Sequence, residues 1–482
     1  MKSRIGRRAR GLHNGWPMQS PRPYFPLDAI DWPVVHQALA GLDCQNSPAD
    51  LARAGADYHW YSPRLSEKLR GKQPDLVVRP RDVAEVLRLA TVCAKHRVPL
   101  TVRGGGTGNY GQCVPLFGGI TLDITALNQV LQIEDGWAVV QAGILMFDLN
   151  QALRASGQQL RMWPSTERIA TMGGFIAGGH SGIGSMRHGI LADPGNVRRL
   201  RVVTLQAPAQ VIDLIGADIQ KVHHAYGSNG VIVEVEVALT PWLEWLHCIT
   251  VFESYDQVLR FGLAVGQAAT LDVFQLSAVE RRITPFYDGL ENILQGGDAM
   301  FAQVAPASAP AFEALAVQLG GRLVVRGTEA QLHAQGLPSA TECAYNHTTL
   351  MALQKDRSVT YLQVAYPGPL DAALVARQMQ RFGDEVLMHH EFSRAHGALV
   401  AFALPLVVYF DEAQLGACKR SFEADGCAIF DPHTWVLEDG GMKQVDPAQL
   451  DFKKLADPMG LMNPGKVRAW DELVLGIPGG QL

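Results

Sequence analysis

Apolar positions along the chain follow two rhythms. Val83, Val86, Leu87, Ala90 and Cys93 keep the three-to-four spacing of an amphipathic helix, and Pro80, Arg81 and Asp82 supply its start. Short apolar runs at 75–78 and 99–103 flank that helix, so the segment reads as a β-α-β unit. Runs at 120–124, 130–134 and 137–142 read as strands at hairpin spacing. Residues 146–156 read as a helix stopped by Gly157, and 160–162 leads on to a further glycine-rich stretch. Strands follow at 197–205, 211–215 and 232–239, closed by Pro241. Ahead of all this, 34–42 and 48–56 are helical.

From about residue 246 the pattern changes. Runs at 248–252 and 273–278 (strands) enclose a helix at 255–269, and a strand at 360–364, a helix at 370–382 and a strand at 385–388 complete a ferredoxin-like layer. Residues 306–311 read as an Ala/Pro-rich joint, 431–482 as irregular, and no internal sequence repeat is evident. The expected class is α+β in four parts: a tail and helical leader over 1–70, a first domain over 70–245, a second over 246–430, and a segment over 431–482 that packs back on the first.

Composition narrows the function classes. The 482 residues are 47% apolar and 18% charged, ordinary for a globular protein with well-buried cores. The formal net charge of −5 gives no reason to expect nucleic acid. The seven cysteines are scattered without a CxxC pair, which argues against a zinc or iron–sulfur site and for reduced, buried thiols in a cytoplasmic protein. No run reaches the roughly 18 apolar residues of a membrane span; the longest, 397–410, is broken by Pro405 and reads as a core strand pair or buried segment. Lys2, Arg4, Arg7, Arg8 and Arg10 make a basic tail, no apolar signal core follows them, and Met18 is an alternative start.

The chemistry concentrates in two glycine-rich loops. Gly104, Gly105, Gly106, Gly108 and Gly111 come straight after the strand at 99–103, and Gly173, Gly174, Gly178, Gly179, Gly182 and Gly184 form a second set about 70 residues on. Glycine has no Cβ and reaches positive φ, so such loops can press their N–H groups against phosphates, and two of them suit one extended, doubly negative ligand. The bland alternative for either loop is a connector without a ligand. Gly106, Gly108 and Gly111 match the dinucleotide fingerprint literally, with Asp123 downstream, but Pro115, Gly118 and Gly119 leave no room for the helix it requires. Gly460, Gly465 and Lys466 imitate a P-loop, yet Val467 replaces its Ser/Thr and no helix-like segment follows.

Taken together these motifs resemble a known family. Arg103, Gly104, Gly105, Gly106, Thr107 and Gly108, then Pro115, Gly118, Gly119, Ile120 and Asp123, then Pro164, Ser165, Thr171, Met172, Gly173 and Gly174, then Arg187, His188 and Gly189, resemble the PCMH-type (vanillyl-alcohol-oxidase-like) FAD-binding domain. Gly227, Ser228, Asn229 and Gly230 look like its closing segment, and Asp457, Pro458, Gly460, Asn463, Pro464, Gly465 and Lys466 resemble the chain end of the D-lactate dehydrogenase/glycolate oxidase branch. The resemblance implies two α+β subdomains around FAD, a ferredoxin-like cap over the substrate, and a terminal segment returning to the flavin. It implies that Arg103–Gly108 cradle the pyrophosphate, while Pro164, Ser165, Thr171, Gly173, Gly174, Gly178, Ser181 and Gly184 line the rest. Ile232 would lie by the adenine or ribose, and Asn463 and Lys466 by the isoalloxazine. Thr107 stands where some relatives carry a flavin-bonded histidine, so the FAD is expected to be non-covalent.

The implied activity is oxidation of a small hydroxy acid or related alcohol by hydride transfer to flavin N5, which needs a base and, for an acid, a cation. Candidates for the base are His347 and His433, then His390 and Tyr345; Arg394, Arg357 and Arg282 are candidate carboxylate clamps. Each has a plain structural alternative: His389 and His390 as strand-end residues, Asn346 as cap of a helix beginning at His347, the arginines as ion-pair partners. The branch's metal-holding segments are not matched, so no metal is expected. A hydroxy-acid-like small molecule and an electron acceptor (oxygen, quinone or redox protein) are the expected partners, with a homodimer compatible. Two other classes stay open: a non-catalytic FAD-binding subunit, and a redox-neutral flavoenzyme of the same fold.

Overall fold

The computed structural model describes residues 29–179 and 181–475; Lys2 to Arg10 and Met18 lie outside the described residues. A first sheet has the strand order Asp43–Gln45, Leu76–Arg79, Ile120–Asp123, Leu100–Arg103, the last three parallel. Helix Val83–His96 makes the crossover. Asp82 caps it by accepting the Glu85 N–H, Arg97 ends it at φ 54°, and Val86, Leu89, Ala90 and Cys93 are buried on its inner face. Val86 and Leu89 each contribute about 1.5–3 kcal/mol on leaving water. Parallel strands gather their carboxyl ends at one edge, and the first glycine loop leaves from one of those ends, after Arg103. No helix or strand lies between Arg103 and Ile120, which disposes of the dinucleotide fingerprint.

The second sheet runs Val130–Glu134, Trp137–Gln141, Val231–Pro241, Val197–Val203, Val211–Ile215, with Gln158–Leu160 paired to the far end of Val231–Pro241. Both sheets share one hydrophobic core.

Beyond residue 245 one eight-stranded antiparallel sheet forms, in the order Arg322–Gly327, Leu246–Phe252, Asp298–Val304, Val273–Val279, His389–Ala395, Ala398–Ala403, Gln363–Ala365, Ala428–Phe430. It consists of two β-α-β-β-α-β units side by side. The first uses helices Tyr255–Gln267 and Ala309–Gln318, the second Ala372–Phe382 and Glu412–Ala424. The repeat is architectural and left no trace in the sequence. Several expectations are corrected here. Residues 306–311 are no joint: the 3-10 turn Pro306–Ser308 runs directly into helix Ala309–Gln318, where Pro310 sits at the start and its missing N–H costs nothing. The run at 360–364 divides at Leu362 between strands Val359–Tyr361 and Gln363–Ala365 of different sheets. The run at 397–410 divides ahead of Pro405 into strands Ala398–Ala403 and Leu406–Val408, which belong to different sheets rather than forming a pair. Cys44 is exposed, unlike the buried thiols expected.

Residues 431–475 are not all irregular: helices Pro447–Ala456 and Arg468–Leu475 frame a tight turn. The second directly follows Lys466 and Val467, contrary to the sequence reading that no helix does. Asp457 organises the turn. Its carboxylate accepts the N–H groups of Leu461 and Met462 and pairs with buried Lys453 at 2.9 Å. Leu100 then donates to the Leu461 carbonyl and accepts from the Asn463 N–H, so this turn bonds along the free edge of the first sheet. Among the described residues no helix is long and apolar enough to cross a membrane.

Candidate functional site

The two glycine loops meet. A Cβ on Gly104 would lie 2.1 Å from Thr171 Oγ1, and one on Gly105 would lie 1.9 Å from the Ile169 carbonyl oxygen, so only glycine permits this approach. Thr171 caps helix Met172–Gly178 by accepting the Gly174 N–H, which presents the N-terminal turn of that helix beside the first loop. Gly173 packs its backbone on Ala142, where a Cβ would stand 2.7 Å from that residue's own. A Cβ on Gly174, by contrast, meets only the Thr171 hydroxyl, and the remaining space is open cleft.

That cleft runs from the loops to the underside of the eight-stranded sheet. Gly104, Gly105, Gly106, Thr107, Gly108, Pro164, Ser165, Thr171, Gly173, Gly174, Gly178, Ser181 and Ile232 all line it. Arg103 and Gly184 do not. The Arg103 guanidinium turns back onto the Ala56 carbonyl and Cys113 Sγ, and fills the space beside Gly106. Gly184, at φ 100°, begins helix Ser185–His188. Asn463 and Lys466 lie behind the first loop. Asn463 donates to the carbonyls of Gln112 and Tyr226, and Lys466 to that of Gly111. Complete burial pushes the Lys466 ammonium down to about 7, an effect that Asp57 and Cys113 oppose and Lys72 reinforces.

Of the residues considered for catalysis, Tyr345 alone lies on the cleft wall. Its hydroxyl donates to the Gly182 carbonyl at 2.9 Å, and burial raises its pKa, so it is a neutral donor rather than a base. His433 is buried, with Nδ1 2.7 Å from Ser62 Oγ and Nε2 2.9 Å from the Tyr361 carbonyl; burial lowers its pKa. Both ring nitrogens are engaged away from the cleft. His347 is lowered by burial, against Glu342 and the Thr341 backbone, and does not line the cleft. His390 faces the helices of the cap, 2.8 Å from the Tyr255 hydroxyl, and burial holds it at about 3. Arg394 donates to the Gly266 carbonyl, Arg282 pairs with Glu280 and Asp384, and Arg357 lies over the Trp60 ring.

Strand parity explains His390 and reveals a pair the sequence reading passed over. Side chains alternate along a strand, so His389 and Glu391 share the face opposite His390. There Glu391 Oε1 accepts the Tyr345 N–H at 2.6 Å and lies 2.7 Å from His389 Nε2, while Oε2 accepts from Ser277 at 2.5 Å. This buried clasp holds Tyr345 at φ 50°, ψ −136°, a strained backbone for a tyrosine. The strain also rules out Asn346 as a cap: helix Asn346–Lys355 starts at Asn346 itself, with no side-chain cap bond. Asn346 lines the cleft instead, its buried Oδ1 without a partner. The His-x-Glu spacing was the signal available in the sequence.

The donor set suits a dinucleotide. Loop N–H groups and helix Met172–Gly178 face one region, Gly174 leaves open space there, and Gln112 Nε2 is a buried donor without a partner on the same wall. Among the described residues no three His, Cys, Asp or Glu side chains stand close enough to hold a metal ion.

Comparison with known proteins agrees. Residues 74–212 match the family described as FAD binding domain. The chain is 32% identical over 179 residues to the glycolate oxidase subunit GlcD of Bacillus subtilis, covering 35% of this chain and 37% of that one. It is 29% identical over 300 residues to the D-2-hydroxyglutarate dehydrogenase of Escherichia coli, covering 55% and 29%. The chain thus spans well under half the length of these curated relatives. Among solved structures, an alkyldihydroxyacetonephosphate synthase superposes with a TM-score of 0.69 at 13% identity over 95% of this chain and 90% of that one. The 4-ethylphenol oxidase of Gulosibacter chungangensis superposes at 0.65 with 16% identity over 91% and 98%. Residues 74–212 therefore match an FAD binding domain, set in a chain that shares the fold of the alkyldihydroxyacetonephosphate synthase and 4-ethylphenol oxidase structures.

Proposed function

We propose that the protein is an FAD-dependent oxidoreductase that oxidises a CH–OH donor, a small hydroxy acid or related alcohol. The observation carrying this reading is the single cleft that joins the two glycine loops to the underside of the cap, with cofactor-type walls at one end and side chains of a second domain at the other. The relatives named for glycolate and D-2-hydroxyglutarate support the reaction class. FAD, when bound, supplies the acceptor for the hydride that leaves the substrate carbon. The balance is a C–H hydride and an O–H proton lost, a carbonyl formed and FAD reduced to FADH2.

The chain's own residues bind and orient. Thr107, Ser165, Thr171 and Ser181 offer hydroxyls along the cofactor walls, and Tyr345, clasped by Glu391, closes the cleft against Gly182. Non-covalent FAD follows from Thr107, which offers no nucleophilic ring nitrogen. The electron acceptor is oxygen, a quinone or a redox protein; a cytoplasmic location and a homodimer complete the proposal. Anaerobic addition of D- and L-2-hydroxy acids and simple alcohols to the purified protein tests it. Bleaching of the flavin band by one of them is expected, and heat should release FAD into the supernatant. A flavin that no member of such a panel bleaches would overturn the reading.

A further inference from the structure

The cleft's substrate end can be separated from its cofactor end. The two glycine loops, with Tyr226, Gly227, Gly230 and Ile232 of the same domain, wall one end of the cleft. Facing them from the cap, the leader and the C-terminal segment are Tyr58, Tyr61, Phe402, Leu404, Phe430 and Met442, with Tyr345, Asn346 and Gln363 as the polar members contributed by the cap. Among the described residues lining the cleft none carries a charge. The cations a carboxylate would need are committed elsewhere: Arg394 to a carbonyl, Arg282 to two carboxylates, Lys466 to the Gly111 carbonyl behind the loop, and Arg103 to Ala56. A carboxylate entering this end would lose its hydration without a counter-charge, which is strongly unfavourable.

The polar groups that are present suit a hydroxyl. Asn346 Oδ1 is a buried acceptor without a partner. Gln363 Oε1 accepts from the Tyr110 hydroxyl at 2.7 Å, which leaves the amide N–H pair of Gln363 as the end of that side chain able to donate. An acceptor and a donor lining the same aromatic-walled cleft match the two needs of an alcohol O–H.

Resting on the oxidoreductase reading, we infer that the substrate is an uncharged alcohol with an apolar, flat body, oriented through its hydroxyl by Asn346 and Gln363, and that a free 2-hydroxy acid is excluded by its charge.

The test compares each acid with its own neutral form on the FAD-loaded protein: mandelate against methyl mandelate and lactate against methyl lactate, with benzyl alcohol as a third probe. Binding is read by perturbation of the flavin visible band and by thermal shift, neither of which requires turnover; reduction is read separately. The esters and benzyl alcohol should bind more than about tenfold more tightly than the acids. Asn346→Ala should weaken benzyl alcohol about tenfold while FAD content and melting temperature stay near those of the parent. Leu404→Arg should shift the preference toward mandelate. Tighter binding of either acid than its ester, or no binding by any neutral probe, overturns the inference; so does loss of FAD rather than of alcohol affinity in Asn346→Ala. Ester binding without reduction by any compound would overturn the oxidoreductase reading and leave only the cleft's preference for neutral alcohols.

Discussion

Lys466 donates a 2.6 Å hydrogen bond from its buried ammonium to the carbonyl of Gly111, 355 residues earlier in the chain. The bond ties the turn after helix Pro447–Ala456 to the end of the first glycine loop, where Gly111 holds φ 70°. Burial brings the folded-state value of Lys466 from 10.5 down to about 7. The folded value is depressed, so between roughly pH 7 and 10.5 the unfolded chain binds a proton that the folded one does not, and stability rises with pH across that window. The slope from one such group is about 1.4 kcal/mol per pH unit. Lys443, also lowered by burial, to about 8, adds to it above that pH. Urea unfolding of FAD-free protein from pH 7 to 9.5 should show this rise, and Lys466→Met should flatten it. Equal slopes in both proteins would place the titration elsewhere.

The two glycine positions should fail differently. Gly105→Val drives its side chain into the Ile169 carbonyl, a backbone atom that cannot swing away, so both fold and flavin should suffer. Gly174→Val projects into open cleft beside Thr171 and should lose FAD while keeping a cooperative unfolding transition. Flavin content by absorbance and melting by calorimetry separate the two outcomes; wild-type flavin in Gly174→Val would put the cofactor elsewhere.

Glu391→Ala should slow flavin reduction by about 10²-fold with FAD retained, because freeing Tyr345 from φ 50° moves the cleft wall, and misplacement of about 1 Å has an effect of that size. Glu391→Gln keeps an acceptor for the Tyr345 N–H and should remain within a few-fold of wild type. Stopped-flow reduction distinguishes the pair; equal rates in Glu391→Ala and the parent would make the clasp structural only.

His433→Ala strands the Ser62 hydroxyl and the Tyr361 carbonyl in the interior, which costs about 1–3 kcal/mol of stability. Flavin reduction should change little. A loss of about 10²–10⁴ in rate with unchanged stability is the signature of a catalytic base and would overrule the geometry.

The legible parts of this protein are those whose physics is local. Gly104, Gly105, Gly173 and Gly174 announce themselves because close backbone approach admits no other residue, and their cleft lies where two such loops predict it. The helix at Val83–His96 is written in its own spacing and its Asp82 cap. What stayed hidden depends on partners far along the chain. Nothing in the neighbourhood of His433 tells that Ser62 will meet it, and nothing near Gly111 points to Lys466. His390 fails for a different reason: choosing it ignores the parity that turns His389 and Glu391 toward Tyr345 and His390 against Tyr255. The doubled cap units escaped because the repeat lies in the order of elements, not in their residues.

The edge bonds of Leu100 to Leu461 and Asn463 have a consequence for biosynthesis. During translation the first glycine loop leaves the ribosome more than three hundred residues before the strand-like turn that braces it. Through that interval the loop has neither its sheet edge nor the ammonium of Lys466, so a nascent chain cannot complete its dinucleotide cradle. A chain that ends before Lys466 lacks these braces and should retain less FAD than the full chain.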